Sequence, residues 1–275
     1  MWRRIKIAVS LAVFWIQLGC SSAPVTNGEP GWSSTVREST LIAFQEGSGE
    51  APTALFTSDV PVVFTLEADF RQLKRDREQE SEDRPATMTL KQGPGDEISI
   101  PLQLRTRGNF RLQSHICPFP PLRLDFPEDS VGGTLFEGQD KLKLVTHCMD
   151  RDRYELNVLE EYLAYRIFNL LSDVSFRVQL ALITYRDSGG RESPVSRIGF
   201  LIEDEDRMAA RLEGKMVEVP AADPNDFAQG QAGLMYIFQY LIGNTDWSGA
   251  GFHNVKLVQV GWDYLPIPYD FDFSG

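Results

Sequence analysis

Short alternating runs of apolar and polar residues dominate the chain up to about residue 146, and two longer helical patterns follow among further strands. The first strand signal is 61–68, rich in β-branched and aromatic residues, with a short helix over 70–75 behind it. Alternation returns at 86–90 and, beyond the turn signal Gly93-Pro94-Gly95-Asp96, at 98–107. Residues 122–126 read as a return strand, because the prolines of 118–121 lack the N–H groups that central-strand pairing needs. Residues 141–146 form a further strand whose lysines share one face. These segments predict an antiparallel sheet built from hairpins.

The first helical pattern covers 154–171 and puts Leu159, Leu163, Ile167 and Leu170 on one face, with Tyr162 and Phe168 alongside. Strands at 178–185 and 196–202 follow, joined by the turn-forming run Arg186-Asp187-Ser188-Gly189-Gly190. Glu203-Asp204-Glu205-Asp206 opens a short helix, where negative charge suits the helix dipole. A short extended piece at 215–220 precedes a helix over 224–241, with Leu234, Ile237, Phe238, Leu241 and Ile242 on its inner face. A hairpin over 255–268 completes an α+β plan without internal repeats.

Length and charge narrow the class. The 275 residues, 42% of them hydrophobic, suffice for one large domain or two small ones. A formal charge of -12 argues against a nucleic-acid partner, since phosphate neutralisation needs a basic face. It leaves room for one nucleotide held by a few local cations and a metal.

The N-terminus indicates export. Trp2-Arg3-Arg4-Ile5-Lys6 is a basic start, and 7–18 is an apolar run too short for a comfortable membrane span. It ends at Gly19-Cys20-Ser21-Ser22, which resembles the lipobox of bacterial lipoproteins, with Gln17 where that family carries leucine. The resemblance implies a lipid anchor on Cys20 and a place on the extracytoplasmic side of the cell envelope. An ordinary cleaved signal or an uncleaved anchor is the alternative. Residues 21–39, rich in Ser, Thr, Gly and Pro, read as a flexible tether ahead of one domain over 40–275. In an oxidising compartment Cys117 and Cys148 are expected to form a disulfide. The nearby His115 and His147 make a zinc site the competing reading, although neither cysteine has Cys-x-x-Cys spacing.

The candidate chemistry gathers in the last thirty or so residues, in Asn244-Thr245-Asp246-Trp247, His253-Asn254 and Pro268-Tyr269-Asp270-Phe271-Asp272. Hard cations such as Mg²⁺ take oxygen ligands from one or two carboxylates plus substrate phosphates. Phosphoryl transfer needs a carboxylate that accepts the nucleophile's proton, and an amide and a second carboxylate on the metal. Asp246, Asn254 and Asp270 could fill those roles, with the 255–268 hairpin returning Asp270 beside Asp246. Arg105-Thr106-Arg107-Gly108-Asn109-Phe110-Arg111 is the most basic window of the mature chain and suits a phosphate loop, although its arginines could instead pair with the acidic surface. Lys143 is a candidate phosphate clamp, and Glu160 or Glu161 could reach a strand lysine. The mixed-charge run 74–84 carries no chemistry.

These motifs, in this order, resemble the signature of the CotH-like spore-coat protein kinases and of bacterial lipoproteins related to them. Arg107-Gly108-Asn109 resembles that family's Arg-Gly-Asn loop, and Gly199-Phe200-Leu201-Ile202-Glu203 resembles its strand leading to a hinge glutamate. The similarity spans 100–275. It implies a divergent kinase-like fold, with a β-rich lobe over 55–150 and a second lobe of helix and β-hairpin over 203–275. It further implies ATP and Mg²⁺ as cofactors, and phosphate transfer to a protein or small-molecule hydroxyl. Asp246 would be the catalytic base, Asn254 and Asp270 metal ligands with Asp272 in support. Arg107, Gly108 and Asn109 would contact phosphate, and Glu203 would face the nucleotide. Where the family carries a lysine-bearing strand this chain has Pro120-Pro121-Leu122-Arg123, leaving Lys143 or Arg123 to supply that cation. The stop directly after the acidic motif predicts a C-terminally truncated fragment. Two further readings are a catalytically inactive, envelope-associated binding module, and a structural Ca²⁺ site on Asp246, Asp270 and Asp272.

Overall fold

Alternation of the kind seen in Val62-Val63-Phe64-Thr65-Leu66 can bury one face of a strand and leave the other to solvent, and seven such strands here close on themselves. The computed structural model describes residues 53–274 apart from 80, 94, 128 and 218–223, so the signal, Cys20 and the tether lie outside the described residues. The barrel strands are β1 (Val62–Ala68), β2 (Arg84–Gly93), β3 (Asp96–Thr106), β4 (Leu122–Asp125), β5 (Lys141–Val145), β6 (Val178–Asp187) and β7 (Val195–Ile202). Their order is β1-β2-β3-β4-β5-β7-β6. Every pairing is antiparallel except the one that shuts the ring, where β6 runs parallel to β1 from Ala181 opposite Val62 to Asp187 opposite Ala68.

Phe64, Leu66, Met88, Ile100, Leu104, Leu124, Leu144 and Ile183 fill the interior. Phe136, from the β4–β5 connection, packs edge-on against Phe64 at 6.3 Å. Each such side chain contributes roughly 1.5–3 kcal/mol by leaving water. β7 approaches β5 so closely that a Cβ on Gly199 would lie 2.8 Å from the Val145 carbonyl oxygen, which is why that position has no side chain.

The other elements are helices α1 (Phe70–Leu73), α2 (Asp152–Leu171), α3 (Glu205–Arg211) and α4 (Gln229–Leu241), and strands β8 (Lys215–Val217), β9 (Val255–Val260) and β10 (Asp263–Pro268). The three strands form a separate antiparallel sheet in the order β10-β9-β8. A second core joins this sheet to the barrel wall through α2 and α4. Phe168 of α2 meets Phe238 of α4 at 4.8 Å, Phe238 meets Phe271 at 5.6 Å, and Tyr165 meets Phe200 of β7 at 5.7 Å.

This architecture corrects the expected kinase-like two-lobe α+β fold. Among the described residues strand outweighs helix, and the barrel draws on both sides of α2, so no lobe boundary falls near residue 150. The β6–β7 hairpin, which follows α2, closes the same sheet as the strands before it. The helix faces also differ from expectation. α2 buries Val158, Tyr162, Tyr165 and Phe168, while Leu163, Ile167 and Leu170 are exposed. On α4, Met235 and Phe238 turn inward while Ile237 and Leu241 face out. Apolar residues surround both helices; on α2 the face with Tyr162, Tyr165 and Phe168, which has more area to bury, takes the core, whereas α4 buries Met235 and Phe238 and leaves Tyr236 and Tyr240 exposed. Among the described residues no helix is long and apolar enough to cross a membrane.

A disulfide joins Cys117 and Cys148, with Cα atoms 4.7 Å apart, and beside it the Phe119 N–H donates to the Cys148 carbonyl at 2.9 Å. The link spans a sequence separation of 31. Replacing both cysteines by serine is therefore expected to cost about 3–4 kcal/mol in guanidinium denaturation. An unchanged midpoint would show that the link contributes nothing to stability.

Candidate functional site

β3 ends at Thr106, and the next residue begins the site. The Arg107 N–H donates to the Pro121 carbonyl at 3.0 Å, and Gly108 takes φ +96°, a backbone region that glycine enters without strain. Arg107, Gly108 and Asn109 thereby line a cavity of about 850 Å³. Lys143 of β5 lines the same cavity, as do Asp246 beyond α4, Asn254 at the start of the β9–β10 hairpin, and Asp270 and Asp272 at its end.

The hairpin register explains the last three. Val255 pairs with Pro268, and one step out the Tyr269 N–H donates to the Asn254 carbonyl at 3.1 Å. Asn254 and Asp270 therefore leave the same end of the hairpin. Both have left-handed backbone, at φ 54° and 60°, as does Phe252 at 51°. Such conformations cost non-glycine residues roughly 1 kcal/mol or more each, with Asn and Asp among the most tolerant. The Asp270 N–H donates to Tyr165 Oη at 2.8 Å, which fastens the strained turn to α2.

Asp246 is held from three sides. Its N–H donates to Asn244 Oδ1 at 2.9 Å, and its Oδ1 lies 2.9 Å from His253 Nε2. Asn254 Nδ2 donates to the Asp246 carbonyl at 2.6 Å and reaches its Oδ2 at 3.3 Å. Asn254 Oδ1, by contrast, takes no hydrogen bond from the described residues.

Opposite them lies a crowded acidic wall. Asp270 and Asp272 are in side-chain hydrogen-bond contact. Burial pushes Asp270 above the usual carboxylate range and the Asp272 charge adds to it, against the pull of Arg111 and Arg107. Arg111 donates to Asp272 Oδ2 through Nη2 at 2.6 Å and Nε at 3.1 Å, and Nη2 also lies 3.3 Å from Glu161 Oε2. Burial pushes Glu161 up; Arg111 draws it down, Asp270 and Asp272 push it further, and the result is about 7. Burial works against the Arg111 charge, but Glu161 and Asp272 outweigh it and hold its proton more firmly than usual.

The lysines are engaged elsewhere. Lys143 Nζ pairs with Glu205 Oε1, and Lys256 Nζ lies 3.1 Å from Glu205 Oε2. Burial opposes the Glu205 charge, yet the two lysines hold it below its ordinary range. Arg107 differs. Burial lowers its proton affinity, its Nε is buried with no partner, and its guanidinium makes no ion pair among the described residues.

Eight of the nine expected nucleotide and metal residues thus share one cavity. The ninth, Glu203, does not line it: its carboxylate receives Arg211 at 3.0 and 2.8 Å and the Arg177 N–H at 3.1 Å, tying the end of β7 to α3. Glu205, two residues on, takes the cavity position. Arg123 pairs with Asp125 at 2.8 Å and lines no part of the cavity. Sequence reasoning gave no site role to Arg111, Glu205, His253, Lys256 or Tyr165. Arg111 stood in the basic window and Glu205 in the acidic run, but their partners are remote in sequence.

Among the described residues no group of three or more His, Cys, Asp or Glu side chains is arranged to hold a metal ion. The donors present suit a different kind of site. Two carboxylates in contact need a proton or a cation between them, and Asn254 Oδ1 is an amide oxygen that the protein leaves open on the same cavity. That set matches a cation such as Mg²⁺, which accepts few protein ligands and completes its shell with phosphate and water.

The Glu161 environment gives a pH test. Between about pH 4.5 and 7 the folded chain keeps a proton on Glu161 that the unfolded chain has lost, so stability falls as pH rises through that window. In chelator-treated protein the loss from this group is expected to be about 3 kcal/mol, read by urea denaturation. Glu161→Gln should flatten the decline, and an unaltered slope in that variant would contradict the assignment.

No protein-family model matches the chain, and comparison with curated proteins finds no significant relative.

Proposed function

We propose that the large cavity binds a nucleotide with Mg²⁺ and transfers its terminal phosphoryl group to a hydroxyl of a protein or small molecule, in a protein tethered through Cys20 to the bacterial envelope. One observation carries the reading. A chain of net charge -12 places an arginine whose buried Nε has no partner in the same cavity as two crowded carboxylates and the Asn254 amide. Arg107 lacks an anion and the carboxylates lack a cation; a metal-phosphate supplies both. The order of the motifs, which resembles the CotH-like kinases, supports the same reading without requiring their two-lobe architecture.

The roles follow from position. Arg107 would clamp phosphate oxygens, with the Gly108–Asn109 backbone beside it. Asp270, Asp272 and Asn254 Oδ1 would hold Mg²⁺, which when bound neutralises phosphate charge. Asp246, oriented by His253 and Asn254, would accept the proton of the attacking hydroxyl as its oxygen bonds to phosphorus and the nucleoside diphosphate leaves. Lys143 is not available as a clamp while Glu205 holds it. That pairing favours one alternative, a site that binds nucleotide without turning it over.

Calorimetric titration of ATP with Mg²⁺ tests the binding step. Asp270→Asn should abolish metal-dependent binding, and Arg107→Gln should weaken it by roughly tenfold to a hundredfold. Normal ATP affinity in both variants would remove the basis of the proposal. Asp246→Asn should keep ATP binding within a few-fold and slow phosphate transfer roughly 10²–10⁴-fold. ATP binding without any turnover in the wild type would select the inactive alternative.

A further inference from the structure

A second cavity, of about 200 Å³, opens where β6 ends and β7 begins, and it shares no lining residue with the first. Three side chains on its wall are buried, at 2%, 3% and 6% exposure, and each carries a polar atom with no hydrogen-bond partner: His147 Nδ1, Tyr185 Oη and Asp187 Oδ1. Buried polar atoms are nearly always paired, so three orphans on one wall require an explanation.

All three can accept a hydrogen bond. Burial pushes the His147 imidazole down to about 4, so it is neutral, and with its proton on Nε2 it offers the Nδ1 lone pair. The Tyr185 phenol keeps its proton because burial raises it, and its oxygen retains lone pairs. The Arg191 N–H, donating to Asp187 Oδ2 at 2.9 Å, keeps that carboxylate charged and leaves Oδ1 open. Aromatic rings complete the wall: Phe119 lies 4.7 Å from Tyr185 and 4.5 Å from His147, and Phe70 lies 5.5 Å from Tyr185. Of the charged residues lining the cavity, Lys74 pairs with Glu192, Asp150 with Arg197, and Asp187 with Arg191 through Oδ2 alone, so the Asp187 Oδ1 is the acidic oxygen left facing a cation.

We infer that this cavity binds the head of a small primary amine, whose three ammonium N–H groups donate to His147 Nδ1, Tyr185 Oη and Asp187 Oδ1 while its carbon chain lies against Phe70 and Phe119. Aromatic faces attract a desolvated ammonium, and a hydrogen bond between charged partners is stronger than one between neutral groups. A bare metal ion fits less well, because no cluster of three His, Cys, Asp or Glu ligands is present among the described residues. The inference stands apart from the reading of the large cavity.

Propylammonium titrated calorimetrically into the full chain near neutral pH tests it, with 1-propanol and tetramethylammonium as controls. Saturable one-to-one binding of propylammonium, with neither control binding, is expected. Tyr185→Phe keeps the ring packing and should weaken that binding about tenfold; Asp187→Asn should weaken it more. If Asp187→Asn fails to fold, as judged by near-ultraviolet circular dichroism, Tyr185→Phe decides. Absence of saturable binding to the folded wild type, equal binding of either control, or unchanged affinity in Tyr185→Phe would each overturn the assignment. A cavity filled only by water gives the first of these results.

Discussion

Arg111 sits between Glu161 of α2 and Asp272 beyond β10, and the other charges of the large cavity are disposed around that bridge. It joins a turn following the third barrel strand to the helix outside the barrel and to the tail of the small sheet, over separations of 50 and 161 residues. Removing one member of a buried ionic group leaves its partners uncompensated and is costly, whereas the intact group adds little net stability. Its consequence here is electrostatic as much as structural. One guanidinium faces two carboxylates with a third, Asp270, in contact with one of them, so the wall stays short of positive charge. Burial first, and the neighbouring carboxylates after it, raise the proton affinities of Glu161 and Asp270 against the pull of the arginines.

Much of the local structure was legible in the sequence. Period-two alternation located the barrel strands, and the helical patterns at 154–171 and 224–241 became α2 and α4. The hairpin was legible as well: the apolar run between two polar motifs pairs as β9 and β10, and it brings Asp270 into the cavity that Asp246 also lines. Closure of the barrel was not. It depends on a parallel pairing of β1 with β6, more than a hundred residues apart, and nothing in either strand's own pattern names the other. The inner faces of α2 and α4 were misjudged for a related reason. Counting aliphatic positions could not weigh Leu163 and Ile167 against Val158 and Tyr165 until the Tyr165 partners Phe200 and Phe271 were known.

The charged residues divide along the same line. Asp246, Asn254 and Asp270 were identifiable because their chemistry lies in short motifs. For Glu203 and Lys143 the sequence could not show the partners, because what a charge faces depends on which opposite charge reaches it in the fold. Arg211 takes Glu203, and Glu205 takes Lys143 together with Lys256. Arg107 is the informative exception: the acidic residues near it, Asp270 and Glu161, influence it only through space, and none bonds to it.

Strain at the end of the hairpin bears on what the cavity is for. Phe252, Asn254 and Asp270 all adopt left-handed backbone within a few residues of the paired β9 and β10 ends. A surface loop would relax such torsions unless neighbouring contacts imposed them. Here the contacts are specific: the Tyr269-to-Asn254 backbone bond, the Asp270-to-Tyr165 bond and the Ser248–His253 bridge fix the turn from three directions. The torsional cost is therefore sustained by the surrounding fold, and it fixes the backbone from which the Asn254 and Asp270 side chains enter the cavity before any ligand arrives. Preorganised polar groups lose little further entropy or reorganisation energy when they meet a charged ligand. A purely structural turn would gain nothing from holding three residues in this state, since glycine at any of the three would remove the strain.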